Sequence, residues 1–312
     1  MMKPTRIKIL IAGGGTGGHI YPLIAVALEL AKQATEHIDV RYFGDPGIYR
    51  RELEDAGVRV THITASKLRN YFSMQNIFDV FRFAWSIPQS LCKILFFMPH
   101  VCFTKGGPGT LGITLACRFY LIPIVIHESD AVPGRTNART AGGARIIELG
   151  FAEAEQYFPK TRANFRTTGN PVRSEILAMR NISAENRQSF RIEFGFSADT
   201  PILLVVGGSQ GAERLNTFVL ENLGELTEKF QILHQTGNQN FDQYKKEYDF
   251  IAADMDRTTL EARYKFVPFF DAVAMGKAYA AADLLLSRAG GNTIFEAAAT
   301  GTPAILVPLP GA

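Results

Sequence analysis

The sequence predicts an α/β protein built from two doubly wound, Rossmann-like parallel sheets. Three observations lead to this fold class. The chain has 312 residues, which is more than one hydrophobic core usually serves. Short apolar runs alternate with longer amphipathic segments, the pattern of repeated β-α-β units. Two of these runs, 7–12 and 202–206, lead directly into glycine-rich turns, so both halves of the chain open in the same way.

The first half predicts six strands and a helix after the first of them. Each strand is a short apolar run of the length typical of a buried parallel strand. The predicted strands are Ile7–Ala12, Val40–Phe43, Val58–Ile63, Val101–Thr104, Pro123–His127 and Ala144–Leu149. The first helix is expected from about Tyr21 to Lys32. The alternation weakens between residues 151 and 200, which indicates the end of this half.

The second half predicts five strands, after a boundary at the turn sequence Gly169-Asn170-Pro171. These strands are Ile202–Val206, Gln231–His234, Tyr264–Val267, Leu284–Ser287 and Ala304–Val307. We therefore expect an N-terminal domain of residues 1–168 and a C-terminal domain of residues 169–312.

The composition, 46% hydrophobic and 20% charged, is that of an ordinary globular protein and argues against a disordered chain. The net charge of +3 is too small to indicate a nucleic-acid partner. Residues 1–150 carry 17 Lys/Arg and 11 Asp/Glu, which suits an anionic partner, although ordinary surface scatter gives the same imbalance. The three cysteines form no Cys-x-x-Cys pair, so we expect a reduced, cytoplasmic environment without a structural metal.

The first glycine loop runs from Gly13 to Gly18 and is followed by His19. Glycines after a strand let a ligand approach the bare backbone at a helix N-terminus. The loop matches the dinucleotide pattern GxGxxG, which is weak evidence alone, and Asp45 lies roughly where an acid would hold the ribose of NAD. A dehydrogenase does not require His19, so the loop favours another phosphate-bearing ligand.

The second glycine loop, Gly207-Gly208-Ser209-Gln210-Gly211, follows the strand 202–206. Its backbone N–H groups and the Ser209 hydroxyl suit a diphosphate. A third segment runs from Ser287 to Glu296, with a helix expected to start near Asn292. Its backbone could hold phosphate oxygens and Glu296 the hydroxyls of a ribose. The alternative makes Asn292 a helix N-cap and Glu296 its capping-box partner.

Five segments together resemble the MurG family of glycosyltransferases, in that family's order. They are GGGTGGHIYP (13–22), HESDAVPGRTN (127–137), GNPVR (169–173), GGSQGAERLN (207–216) and the tract 278–310. The resemblance implies a GT-B fold, in which two Rossmann-like domains face a cleft. It also implies a reaction in peptidoglycan synthesis: inverting transfer of N-acetylglucosamine from UDP-GlcNAc to the C4 hydroxyl of undecaprenyl-diphospho-N-acetylmuramoyl-pentapeptide, which converts lipid I to lipid II.

The same resemblance implies roles for individual residues. His19 would be the catalytic base that accepts the proton of the acceptor hydroxyl. Residues 16–18 would face the donor sugar and diphosphate, Phe270 the uracil, and Glu296 the ribose. The full set expected to bind substrates is Thr16, Gly17, Gly18, Asp130, Asn137, Arg173, Ser209, Gln210, Phe270, Arg288, Gly291, Asn292, Thr293, Ile294, Phe295 and Glu296. No cofactor and no metal ion are expected.

The sequence departs from the family pattern at several places. Asp130 stands where the family has an amide, and Gly106-Gly107-Pro108 lacks the aromatic residue of a Gly-Gly-Tyr tract. The sequence given stops at Ala312, where the family continues with a segment that contacts the sugar, so we expect weak or absent activity. These departures leave rivals open: a glycolipid glycosyltransferase, a UDP-GlcNAc 2-epimerase, an NAD-dependent oxidoreductase, or a non-catalytic UDP-sugar-binding protein.

Residues 72–98 are rich in phenylalanine and include the single tryptophan, Trp85. Basic residues lie in or near this stretch: Lys67, Arg69, Arg82 and Lys93. An apolar face with basic neighbours could rest on an anionic membrane surface. The favoured alternative is two buried helices with a few exposed aromatic residues. The resemblance implies a peripheral protein at the cytoplasmic face of the plasma membrane.

Overall fold

The computed structural model describes residues 6–33, 37–65, 74–208, 211–239 and 241–308, without the side chains of residues 74–77. The chain forms two compact units, Met1–Pro171 and Val172–Ala312. We call them unit 1 and unit 2. Each is a parallel sheet with helices on its faces, so the prediction of two Rossmann-like sheets is confirmed.

The described residues of unit 1 form seven strands and five α-helices. The strands are β1 (Ile7–Ala12), β2 (Ile38–Gly44), β3 (Arg59–His62), β4 (Val101–Thr104), β5 (Ile124–Glu128), β6 (Ile146–Leu149) and β7 (Asn164–Thr167). The helices are α1 (Gly17–Gln33), α2 (Arg50–Asp55), α3 (Met74–Phe97), α4 (Thr110–Phe119) and α5 (Arg135–Thr140). The strands lie in the order β3-β2-β1-β4-β5-β6-β7, and each neighbouring pair is parallel.

Strand β1 shows why this sheet is covered on both faces. Its alternate residues point to opposite sides. Leu10 belongs to a buried cluster with Ile94 of α3 and Ile113 of α4, whereas Ile11 belongs to a second cluster with Leu23 of α1. Because β1 is apolar on both faces, it lies in the middle of the sheet.

The strand order of unit 1 reverses between β1 and β4, which are neighbours in the sheet. The connections from β1 and from β4 run in opposite directions along the sheet, and the loops at their carboxyl ends therefore border a crevice. Ligands of open α/β sheets bind at such a switch point. The loop after β1 carries His19, and the loop after β4 begins with Lys105.

The sequence reading missed β7. Its four residues, Asn-Phe-Arg-Thr, show no apolar run, and three of them are exposed at the edge of the sheet. An edge strand needs little hydrophobic surface, so pattern reading has little to detect.

Unit 2 contains five strands and eight α-helices among its described residues. The strands are β8 (Ile202–Val206), β9 (Gln231–Gln235), β10 (Tyr264–Val267), β11 (Leu284–Arg288) and β12 (Ala304–Val307). The helices are α6 (Ser174–Leu177), α7 (Ala184–Glu193), α8 (Glu213–Glu221), α9 (Leu223–Lys229), α10 (Phe241–Ala252), α11 (Arg257–Arg263), α12 (Ala272–Ala281) and α13 (Gly291–Thr300). The parallel order β10-β9-β8-β11-β12 places its switch point between β8 and β11.

The stretch expected to form two buried helices forms one, α3, which is 24 residues long and contains Pro88. Its aromatic side chains are largely exposed: Phe78 is 65% exposed, Phe81 68%, Trp85 62% and Phe96 83%. The expectation of two buried helices was therefore wrong. Lys67 and Arg69 lie outside the described residues. Across the described ranges, α3 included, no helix has the length and apolarity needed to cross a membrane.

Candidate functional site

The switch point of unit 1 opens into a cavity of about 270 Å³. The loops after β1, β4 and β5 and the start of α5 line it, which is where a crevice ligand of this fold is expected. The lining residues are His19, Lys105, Gly107, Pro108, Gly109, Leu111, Glu128, Asp130, Gly134, Arg135, Thr136 and Asn137. Three residues from the predicted site, His19, Asp130 and Asn137, are thus brought together within one unit.

Two backbone hydrogen bonds hold the first glycine loop against the loop after β4. Lys105 N–H donates to the Ala12 carbonyl (2.9 Å), and Gly14 N–H donates to the Gly106 carbonyl (2.9 Å). On the other side, the Tyr42 hydroxyl donates to the Gly13 carbonyl (2.8 Å). The loop is therefore held in one shape before any ligand arrives. Its Gly15 and Gly18 are exposed, whereas Gly17 is buried at the start of α1.

His19 lies in the first turn of α1 and lines the cavity. Its Nδ1 is hydrogen-bonded to the Thr16 hydroxyl at 2.8 Å. Burial, aided by the positive charge of Lys105, lowers the pKa of His19 from 6.5 to about 4. The imidazole is therefore neutral near pH 7, the form that can accept a proton. If Nδ1–H donates to Thr16, the Nε2 atom keeps a free lone pair.

Nε2 of His19 lies against the backbone of Gly107, at a position where only glycine fits. A Cβ atom at position 107 would lie 2.9 Å from that nitrogen and 3.0 Å from Gly14 N, and the backbone φ angle is +90°. Both features disfavour every other residue type. The glycine tract after β4 thus allows the histidine ring to lie at the cavity wall.

Replacing Gly107 with alanine is expected to reduce the free energy of unfolding by about 1–3 kcal/mol, because the new methyl group would clash and φ would be strained. Urea unfolding measures this change. Gly142→Ala is the matched control, since a Cβ at Gly142 meets no atom within 4 Å. Equal free energies of unfolding for the two variants would show that a methyl group at position 107 does not clash with His19.

Glu128 organises the opposite wall of the cavity. Its buried carboxylate accepts hydrogen bonds from Asp130 N–H (3.1 Å), Gly134 N–H (2.8 Å) and Asn137 Nδ2–H (2.9 Å). Burial raises the pKa of Glu128, while these hydrogen bonds oppose the shift. Asp130 itself is exposed at the cavity. The structure therefore leaves Asp130 accessible to a ligand, whereas Glu128 shapes the loop that presents it.

Asn137 is 3% exposed, and its amide nitrogen is occupied by Glu128 and by neighbouring carbonyls. A Cβ at Gly106 would lie 2.1 Å from its Oδ1. Asn137 therefore supports the loops around the cavity in this structure, in addition to lining it.

Lys105 is the main feature of the cavity that the sequence reading missed. It is 3% exposed and lies in the same cavity as His19 and Asp130. The only available signal was a lysine directly between an apolar strand and two glycines, which by itself indicates nothing about burial.

The second glycine loop, at the carboxyl end of β8, is described only in part, because Ser209 and Gln210 lie outside the described residues. Gln235, at the end of β9, is 1% exposed and bridges this loop to the next one. Its Nε2–H donates to the Gly208 carbonyl (3.1 Å), and its Oε1 accepts from Phe270 N–H (2.9 Å). A buried glutamine thus connects two loops at the carboxyl edge of the sheet of unit 2.

Phe270 belongs to the core of unit 2. Its side chain is 5% exposed and packs edge-on against Phe194, with 6.2 Å between the ring centroids. The ring therefore offers almost no surface to a uracil base. The contact between Phe270 and the base therefore stays a prediction.

Arg173 and Glu296 form a buried, two-pronged ion pair in unit 2. Arg173 Nε–H donates to Glu296 Oε1 (2.9 Å) and Nη2–H to Oε2 (3.1 Å), and the Tyr279 hydroxyl donates to Oε2 (3.3 Å). The two residues, expected to contact phosphate and ribose separately, bind each other here. A carboxylate has about four acceptor positions, so Glu296 keeps some capacity for a hydroxyl.

The start of α13 differs from the capping-box alternative. The N-cap is Gly290, with no side-chain cap, and the helix begins at Gly291. Asn292 is therefore inside the first turn, and the Glu296 carboxylate pairs with Arg173 instead of capping. Residues 292–295 and Arg288 are half-buried, while Gly291 is buried. The predicted nucleotide segment thus forms the end of β11 and the first turn of α13.

In the described part of the chain, no group of three or more His, Cys, Asp or Glu side chains is arranged to hold a metal ion. Cys102 and Cys117 are buried free thiols, and Cys92 is an exposed one.

Comparison with known families and proteins gives a consistent result. Residues 9–144 match the glycosyltransferase family 28 N-terminal domain, and residues 202–312 match the glycosyltransferase family 28 C-terminal domain. A protein of Treponema pallidum (strain Nichols) is 38% identical over 310 residues, covering 98% of this chain and 77% of that protein. It is named UDP-N-acetylglucosamine--N-acetylmuramyl-(pentapeptide) pyrophosphoryl-undecaprenol N-acetylglucosamine transferase. A protein of Caldanaerobacter subterraneus with the same name is 32% identical over 305 residues, covering 97% and 80% of the two chains.

Solved structures are similar in fold as well. The crystal structure of Acinetobacter baumannii MurG has a TM-score of 0.65 and 28% sequence identity, over 98% of this chain and 80% of that one. A UDP-GlcNAc 2-epimerase from Neisseria meningitidis, solved with UDP-GlcNAc, has a TM-score of 0.62 at 16% identity, over 96% and 82% of the two chains; at that identity the likeness concerns the fold alone. With both family 28 domains matched and relatives of this identity over nearly its whole length, the chain belongs to glycosyltransferase family 28, among its MurG-type N-acetylglucosamine transferases.

Proposed function

We propose that this chain transfers N-acetylglucosamine from UDP-GlcNAc to the C4 hydroxyl of undecaprenyl-diphospho-N-acetylmuramoyl-pentapeptide. The relatives that carry this activity in their names match the chain over nearly its full length. The observation that carries the proposal in the structure is the cavity of unit 1, where a neutral histidine stands beside a preformed glycine loop. Such a histidine is what proton removal from a sugar hydroxyl requires.

In the proposed reaction, His19 Nε2 accepts the proton of the acceptor hydroxyl. The acceptor oxygen attacks the anomeric carbon of the donor from the side opposite the diphosphate. The new carbon–oxygen bond forms as the bond to UDP breaks, so the configuration inverts and UDP leaves with the electron pair. Thr16 supports this role, because its hydroxyl can accept the Nδ1 hydrogen of His19 and so leave Nε2 free.

We assign the acceptor to the N-terminal domain and the donor nucleotide to the C-terminal domain. Two features of unit 2 support the second assignment: the glycine turn at Gly207 and Gly208 after β8, and the first turn of α13 after β11. Both present backbone N–H groups at the carboxyl edge of the sheet, which suits a diphosphate and the negative charge that develops on departing UDP. Thr293 in that first turn is proposed as a further phosphate contact.

The test is a transfer assay on the purified chain with UDP-GlcNAc and the muramoyl lipid, combined with thermal unfolding in the presence of UDP-GlcNAc, UDP-glucose, GDP-mannose or NAD. A ligand of the native state raises the melting temperature according to its affinity. We expect UDP-GlcNAc to give the largest shift, with at least slow formation of the disaccharide lipid. Stabilisation by NAD alone would indicate an oxidoreductase. Epimerised UDP-GlcNAc without transfer, or transfer to diacylglycerol, would indicate another UDP-sugar enzyme.

We also propose that unit 1 binds an anionic membrane surface through α3, which would place the protein peripherally at the cytoplasmic face of the plasma membrane. Its exposed apolar stripe consists of Phe78, Phe81, Trp85, Cys92 and Phe96. The spacing of three, four, seven and four residues keeps these side chains on one face of the helix. Arg82, whose side chain is 63% exposed, lies next to this stripe in sequence. An exposed aromatic stripe with basic neighbours suits the interface of an acidic bilayer.

Replacing Phe81 and Trp85 with serine is expected to lower binding to vesicles of anionic phospholipid by about tenfold or more, because each aromatic side chain contributes roughly 1.5–3 kcal/mol when buried. Co-sedimentation measures the bound fraction. The matched control is Phe250→Ser in α10, where the side chain is 81% exposed in unit 2. Unchanged binding of the double variant would exclude α3 as the membrane contact.

A further inference from the structure

The ammonium group of Lys105 is a buried charge of unit 1 to which the proposed mechanism gives no role. Its Nζ donates to His127 Nδ1 (2.8 Å), to Asn170 Oδ1 (2.9 Å) and to the Ser129 hydroxyl. An ammonium group has three hydrogens, and all three have acceptors here. All three acceptors are neutral, so among the described residues the charge is buried without a direct ion pair.

These bonds also determine the state of His127. Because Lys105 can only donate, His127 Nδ1 accepts, and Nε2–H therefore donates to the Gly169 carbonyl at 2.8 Å. The bond at Nδ1 requires a neutral imidazole, because a protonated Nδ1 could not accept a hydrogen bond. Burial together with the charge of Lys105 lowers the pKa of His127 to about 3. The side chain of Lys105 thus connects the end of β5, the loop after it and residues 169–170 through one network.

The backbone at Lys105 connects to the opposite wall of the cavity. Its N–H bonds to the Ala12 carbonyl, and the following carbonyl, of Gly106, accepts from Gly14. Those residues lead directly into the loop that carries His19. Backbone and side chain of a single residue therefore join the wall that carries His19 to the wall that carries Asp130.

The titratable and charged groups around Lys105 come from several elements of unit 1. His19 comes from α1, His127 and Glu128 from the end of β5, Asp130 from the following loop, and Arg135 from α5. Burial lowers the pKa of Lys105 to about 8, whereas the charges of Glu128 and Asp130 act to raise it. Near pH 7 the ammonium group of Lys105 is thus mainly charged. Its positive charge opposes the binding of a proton to His19 and so helps to lower the pKa of that residue.

We propose that Lys105 is a positioning residue of this site, which holds the two walls of the cavity in register and, through its charge, adds to the effect of burial that keeps His19 in the neutral form that a base requires. The inference rests on the proposed function for its catalytic meaning. It also accounts for how an anionic Asp130 is accommodated in this cavity, since the ammonium offsets the two carboxylates of Glu128 and Asp130.

The test compares Lys105→Met, which removes the charge, with Lys105→Arg, which keeps it. Lys160→Met is the control, an exposed lysine of unit 1 outside the cavity. In Lys105→Met we expect the NMR titration midpoint of His19 to rise by about one pH unit, the acid limb of kcat/KM to move upward with it, and kcat to fall about tenfold or more at unchanged KM for UDP-GlcNAc. In Lys105→Arg the His19 midpoint should stay at its wild-type value.

A His19 midpoint in Lys105→Met equal to that in Lys160→Met would overturn the proposal. If Lys105→Met does not fold, the loss of activity at alkaline pH tests the proposal instead. The wild type should lose activity as pH rises through about 8, where Lys105 loses a proton and with it one of its three hydrogen bonds to the loops around the cavity. Lys105→Arg should retain activity there because a guanidinium does not titrate. Equal alkaline limbs in the two proteins would contradict the proposal. The NMR titration needs no substrate, so it tests Lys105 even if the muramoyl lipid proves not to be the acceptor.

Discussion

Substituting His19 with glutamine is expected to lower kcat by about 10²- to 10⁴-fold, the usual contribution of a general base. UDP-GlcNAc binding, measured by calorimetry, should change by less than about twofold, because the side chain is proposed to act on the acceptor hydroxyl and not on the nucleotide. Glutamine keeps a similar size and hydrogen-bonding capacity but cannot accept a proton near neutral pH.

His37→Gln is the matched control, since His37 is exposed and lies just before β2. We expect this variant to turn over at the wild-type rate. If His19→Gln retained more than about a tenth of the wild-type kcat, another group would have to be the base.

The pH dependence follows from the pKa of His19. Because it is lowered to about 4, the base is already unprotonated at pH 5.5, and the acid limb of kcat/KM should lie well below the ordinary histidine value of 6.5. The free energy of unfolding also depends on the pKa of His19 and falls at acid pH. The unfolded chain binds protons at higher pH than the folded chain, so the contribution of the neutral histidine is fully present above about pH 6.5 and is lost as pH falls toward 4.

His127 and His234 act in the same direction, since burial lowers the pKa of each to about 3. The stability that these two neutral histidines contribute therefore continues to fall at pH values below those at which the contribution of His19 is lost. Urea midpoints measured at pH 7 and pH 5 should show a clear fall in stability. The loss should be smaller in a variant with His234 replaced by a neutral, non-titrating glutamine than in the wild type.

Breaking the ion pair between Arg173 and Glu296 is expected to have the largest effect on stability. The two side chains are 10% and 9% exposed. Arg173→Met would leave the Glu296 carboxylate buried without its two guanidinium hydrogen bonds, while the Tyr279 hydroxyl still donates to it. Removing one partner of a buried pair typically costs about 3–5 kcal/mol. Urea unfolding followed by circular dichroism measures this loss.

The double variant Arg173→Met, Glu296→Gln should recover part of the loss, because it removes the unpaired charge as well. Arg180→Met is the matched control, as Arg180 is exposed after α6; its stability should stay within about 0.5 kcal/mol of wild type. A wild-type urea midpoint for Arg173→Met would mean that the buried pair does not form.

The pairing also changes how the two residues are to be understood in the proposed reaction. Glu296 is the residue expected to hold the ribose, yet Arg173 and Tyr279 already donate to it. The pair fixes the carboxylate at the first turns of α13, so a ribose would meet a preoriented acceptor. A loss of donor affinity in Arg173→Met would follow from this positioning, without direct contact between Arg173 and phosphate.

Several elements could be predicted because local sequence determines them. Ile7–Ala12 and Ile202–Val206 are strands with the predicted bounds, since a short, mainly apolar run followed by a glycine turn is typical of a buried parallel strand. The position of His19 in the first turn of a helix after a glycine loop is likewise local. Strand β7 escaped prediction because an exposed edge carries no periodic apolar signal.

The sequence by itself determined the two parallel sheets, the glycine loops at their carboxyl edges and the candidate base, because each depends on residues that are neighbours along the chain. Only the tertiary structure decided which charged groups meet. Arg173 and Glu296 are 123 residues apart, and Lys105 and Asn170 are 65 apart. Packing of strands and helices sets these distances through space. A side chain that the sequence suggests is free to bind a ligand can therefore be held by a distant partner, as Arg173 is. A lysine that nothing in the sequence singles out can become a buried charge of the site, as Lys105 does.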